Sequence, residues 1–143
     1  MGFLDLFDSG FRKRNQDHFA AIVRVAMSDG IISGEEKAFL DRLAANLQVS
    51  GSEYKQILKD YMLHPINPPN DYDSRLERLY DLARMVYADH HLGSKQTAML
   101  ERLGVGLGFS TANVSYVVDK ALKLVRRGVD LENFIDEIKN MNR

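Results

Sequence analysis

A chain of 143 residues, 45% hydrophobic and without a long apolar run, suffices for one domain with its own core and falls among soluble globular proteins. Nineteen Lys and Arg against twenty Asp and Glu leave a formal charge of −1, which excludes the basic footprint of a nucleic-acid binder. The lack of Cys excludes disulfides, thiolate zinc sites and Cys nucleophiles.

Residues 1–14 read as a short amphipathic arm. Met1 to Asp8 carries acids where a secretory signal needs a basic end and an unbroken apolar stretch, so a cytoplasmic location is expected. Phe3, Leu4, Phe7 and Phe11 share one face of a short helix, with Arg12, Lys13 and Arg14 directly after, the pattern of an interfacial anchor. Docking on the domain or on a protein partner is favoured over weak peripheral contact at the inner face of a membrane, because Asp5 and Asp8 oppose an anionic surface.

Residues 15–143 read as a single helical domain. Phe19, Ile22, Val23 and Ala26 recur at i, i+3, i+4 and i+7, the stripe of a first amphipathic helix. Gly30 follows its end, and Ser33 with Glu36 has capping-box spacing, opening a second helix whose stripe is Phe39, Leu40, Leu43 and Leu47. Ser50 with Glu53 opens a third, carrying Tyr54, Ile57, Leu58 and Met62. The tract His64-Pro65-Ile66-Asn67-Pro68-Pro69-Asn70 cannot continue a helix, so 64–73 is expected to be a linker.

Ser74 with Glu77 is expected to cap the next helix, striped by Leu79, Leu82, Ala83 and Val86. Met99, Leu100, Leu103 and Leu107 mark another, and Val114, Val117, Val118 and Leu122 another. Gly104-Val105-Gly106-Leu107-Gly108 imitates a phosphate loop but follows a helix rather than a strand, so it reads as a loosened helix end and turn. Gly128 and Asp130 then punctuate, and Leu131, Phe134, Ile135 and Ile138 stripe a C-terminal helix over 130–141.

The two sets of helices are copies at an offset of sixty residues, since Ser28–Ser50 overlies Ala88–Ser110 without a gap. Asp29 falls on Asp89, Leu40 on Leu100, Arg42 on Arg102, Leu43 on Leu103 and Leu47 on Leu107. The expectation is an all-α, seven-helix domain in which three-helix repeats, 19–63 and 79–123, are related by a pseudo-two-fold and followed by the C-terminal helix.

The aligned Asp pair points to the loops. Asp29-Gly30-Ile31-Ile32-Ser33-Gly34-Glu35-Glu36 matches the last eight positions of an EF-hand calcium loop, but Val25 and Met27 stand where its first ligands would be, so it is not an EF-hand. Oxygen donors from Asp29, Ser33 and Glu36 still suit half of a cage for a hard divalent cation such as calcium, which Asp89 could complete. The same residues also serve a purely structural role, with Gly30 in a turn, Ile32 in the core and Ser33 with Glu36 as a cap. The second loop, Asp89-His90-His91-Leu92-Gly93-Ser94-Lys95-Gln96, carries Gln96 in place of Glu36, which weakens any second site. His90 and His91 beside Asp89 are secondary candidates as imidazole ligands, whereas His18 and His64 stand alone. No G-x-S-x-G, H-E-x-x-H or phosphate loop is present, and an enzyme is not expected.

Ala26 to Leu40 resembles the A-x-A-D-G-x-[ILV]-x-x-x-E-x-x-x-[IL] signature of the TerB-like helical domain, named for a bacterial tellurite-resistance protein. Val86 to Leu100 resembles the degenerate partner repeat of such domains, and the likeness runs from about Asp17 to Leu124. It implies a duplicated all-helical fold in a cytoplasmic bacterial module associated with stress or metal resistance, binding divalent metal through acidic loop residues. Carried over, those residues are Asp29, Glu36 and Asp89, while Gln96 and Ser28 depart from the family pattern. Two functional classes follow: a divalent-cation-binding module, or a metal-independent scaffold that recognises another protein.

Overall fold

A computed structural model describes residues 9–16, 19–26, 34–60 and 71–141, and these are all-helical, with no β-strand among the described residues. The chain divides into two compact units, Met1–Asn67 and Pro68–Arg143. No helix among the described residues is long and apolar enough to cross a membrane.

The first unit contains α1 (Ser9–Gln16), α2 (Phe19–Ala26), α3 (Gly34–Asn46) and α4 (Gly51–Asp60). The arm assigned to residues 1–14 therefore becomes helix within its span and stays helical to Gln16, while Phe3, Leu4 and Phe7, with the side chain of Phe11, lie outside the described residues. α2 packs on both α3 and α4, because its apolar stripe is wide enough to serve two neighbours. Phe19, Ile22 and Val23 are buried there together with Phe39, Leu40, Leu43, Ala44 and Leu47 of α3. The Phe19 ring meets Tyr54 of α4 edge-on, centroids 5.5 Å apart, a geometry that adds about 1 kcal/mol to simple burial. The start of α4 is capped as its sequence requires, with Ser50 Oγ accepting the Glu53 N–H at 3.1 Å.

α3 ends in a Schellman motif. The Val49 N–H donates to the Ala44 carbonyl at 2.9 Å and the Gln48 N–H to that of Ala45 at 3.1 Å, which requires Gln48 to adopt φ 58°. A side chain resists this left-handed conformation, whereas glycine does not. Gln48→Gly is therefore expected to raise stability by about 1 kcal/mol, read as a higher urea midpoint with an unchanged slope. A lower midpoint would mean that the exposed Gln48 side chain makes contacts worth more than the relieved backbone.

The second unit contains α5 (Tyr72–Ala88), a 3₁₀ turn (Gly93–Lys95), α6 (Gln96–Gly106), α7 (Val114–Arg126) and α8 (Leu131–Asn140). α5 is its hub and packs on α6, α7 and α8, while α7 also packs on α6 and α8. That is why α5 buries residues around much of its circumference: Leu76, Leu79, Leu82, Ala83, Met85, Val86 and the acid Asp81. The expected linker over 64–73 requires correction at its end, since α5 already begins at Tyr72; His64 to Asn70 lie outside the described residues. Ser74 is also not the cap. Asp71 takes that position, its carboxylate accepting both the Ser74 N–H at 2.7 Å and the Ser74 hydroxyl at 2.9 Å. An Asp three residues upstream offers two acceptor oxygens to the helix start, so Ser74 becomes the capped residue.

The glycine-rich run 104–108 is a helix end. α6 closes with a second Schellman motif, the Phe109 N–H on the Gly104 carbonyl at 3.2 Å and the Gly108 N–H on that of Val105 at 3.0 Å, with Gly108 at φ 107°. Gly104 faces α7 so closely that a Cβ would lie 2.9 Å from Val114 Cγ2. Arg75 lies beside Gly108 with its guanidinium over the Phe109 ring, 5.6 Å from the centroid, where the negative end of the α6 dipole favours a cation. α8 is held by Phe134 and Ile138, by the Asp130 cap on the Asn133 N–H at 2.9 Å, and by ion pairs of Lys139 with Asp73 and Lys120 with Glu137.

Positions paired by the sixty-residue offset are buried alike within their own units. Phe19 and Leu79, Val23 and Ala83, Leu40 and Leu100, and Leu43 and Leu103 are all core residues. The Schellman motifs closing α3 and α6 stand in the same register, Gln48 against Gly108.

Candidate functional site

Of the two loops marked by the repeated Asp, the second is described throughout. α5 ends at Ala88, and the Asp89 N–H closes its last turn on the Val86 carbonyl at 3.2 Å. The Asp89 carboxylate then accepts the His91 N–H at 2.9 Å, an Asx-type turn that satisfies a backbone donor of the loop. Leu92 is buried, Gly93 takes φ 51°, and the 3₁₀ turn leads into α6, the Lys95 N–H bonding the Leu92 carbonyl at 2.8 Å. His90 and His91 are both exposed.

Gln96 reaches back across this loop, its Nε2 donating to the Tyr87 carbonyl at 3.2 Å. That carbonyl lies in the last turn of α5, where helix geometry leaves acceptors without partners. The Tyr87 ring, partly exposed, also sits beneath the Arg126 guanidinium at 5.9 Å from its centroid. Asp89 and Gln96 thus both bond to backbone, Asp89 as acceptor within the loop and Gln96 as donor to the end of α5. A carboxylate at position 96 could not donate. Gln96→Glu is therefore expected to cost about 1 kcal/mol at neutral pH. Because the carbonyl favours the protonated acid, the folded pKa of the new Glu would be raised, and the lost stability should return as pH falls through that raised value. Urea melts from pH 7 to pH 4 test this; equal losses at both ends would show that the side-chain amide donates nothing.

Of the first loop, Asp29 and Ser33 lie outside the described residues, as does the side chain of Glu36, whose backbone forms part of the first turn of α3. His18 and His64 lie outside them as well. Among the described residues, no three His, Cys, Asp or Glu side chains gather closely enough to hold a metal ion.

Two polar arrangements escaped the sequence reading. On the first unit, Asp41 of α3 accepts the Tyr54 phenol at 2.7 Å and pairs with Lys37 at 2.5 Å, while the Lys37 ammonium sits 5.1 Å from the Tyr54 ring centroid. Burial pushes the Asp41 carboxyl up, but hydrogen bonds from Lys37 and Tyr54, with the charges of Lys37 and Arg42, outweigh it and hold the group below its usual range. Burial and the bond to Asp41 push the Tyr54 phenol well up, so it stays protonated and serves as a donor rather than a base. The cluster ties α3 to α4, and the i, i+4 spacing of Lys37 and Asp41 is its only sequence signal. On the second unit, the Tyr80 hydroxyl donates to the Val129 carbonyl at 3.0 Å while its ring packs on Phe134, 5.0 Å between centroids. That pair joins α5 to the segment entering α8.

Comparison with family models, with curated proteins and with solved structures gave no match.

Proposed function

We propose that this chain is a TerB-like module of the bacterial stress and tellurite-resistance type, cytoplasmic and non-catalytic, which binds a divalent cation through the Asp29–Glu36 loop. The proposal includes the duplicated architecture: two three-helix repeats and a C-terminal helix, seven in all beyond the N-terminal arm. Its support is the TerB-like signature over Ala26–Leu40, together with the shared burial of residues sixty apart.

One observation carries the cation reading. In the second loop the residue at position 96 works as a donor, its amide bonding the Tyr87 carbonyl. The first repeat has Glu36 at that position, and an ionised carboxylate only accepts. Glu36 cannot make that bond, which leaves its carboxylate free to act as a ligand, and Asp29, seven residues earlier, supplies a second anionic oxygen for a hard cation. Calcium or a similar ion fits oxygen donors of this kind, with Ser33 as an added ligand.

Amide NMR during calcium titration tests the reading. Selective shifts over Gly30–Glu36 are expected, with Asp29→Asn and Glu36→Gln each weakening binding and the Glu36 variant doing so by roughly tenfold or more, because Glu36 can bind through both oxygens. Diffuse shifts spread over the surface would instead favour a metal-independent scaffold for another protein. That second reading draws on Tyr116, Tyr72 and Val105, which remain 57%, 41% and 42% exposed.

A further inference from the structure

We draw no further inference here: the strongest candidate, the cleft of about 190 Å³ between α7 and α8 lined by Lys120, Asn133, Asp136, Glu137, Asn140 and Met141, is open to solvent, has Lys120 already paired with Glu137, and carries nothing that shows what would occupy it.

Discussion

Phe134→Ala is expected to destabilise the protein by about 3–5 kcal/mol, the usual cost of emptying a buried phenylalanine site. Phe134 is fully buried on α8 and packs against the Tyr80 ring of α5. Its loss removes apolar contact and leaves the Tyr80 hydroxyl bond to Val129 without the tilted ring contact beside it. The ion pairs of α8 cannot compensate, because Lys139–Asp73 and Lys120–Glu137 are half-exposed and such pairs contribute at most about 1 kcal/mol each. Urea denaturation followed by circular dichroism measures the effect. A midpoint unchanged from the parent would mean that α8 does not depend on Phe134 for docking.

Leu43→Ala should cost about 2–5 kcal/mol, a large part of the stability of an ordinary domain. Leu43 lies mid-helix in α3, 2% exposed and flanked on the same face by Phe39, Leu40 and Leu47. The backbone of α3 prevents these neighbours from collapsing fully into the vacated space, so the cavity remains. Lys55→Ala, at an exposed position on α4, is the matched control and should change stability by no more than about 0.5 kcal/mol. Equal melts for Leu43→Ala and the control would contradict the assigned core of the first unit.

The helical stripes were legible because burying one face of a helix imposes a 3.6-residue period on apolar side chains, as in Phe19, Ile22 and Val23. Asp81 was not legible as a buried residue, since its burial follows from α5 touching three helices at once, a tertiary fact that one stripe does not encode. Helix ends were read unevenly for a related reason. Gly108 announces its Schellman turn by residue type, whereas Gln48 takes the same conformation against its preference. At the start of α5, both Asp71 and Ser74 are good capping residues, and only the bonds between them decide which one caps. In the candidate site, the spacing of Asp89 and Gln96 was evident, but residue type alone did not show that Gln96 spends its amide on the Tyr87 carbonyl. A Gln offers donors and acceptors alike, and the end of α5 selects the donor.

Titration calorimetry of the intact chain, with calcium first and then magnesium, manganese and zinc, tests the proposed cation site most directly. The account predicts a saturable heat with at least one of these ions and a parallel rise in thermal stability, about 2.7 kcal/mol at a hundredfold excess over Kd, both diminished by Glu36→Gln. No heat and no stabilisation at millimolar metal would contradict it, leaving Ser33 and Glu36 as a helix cap and the chain as an interaction module.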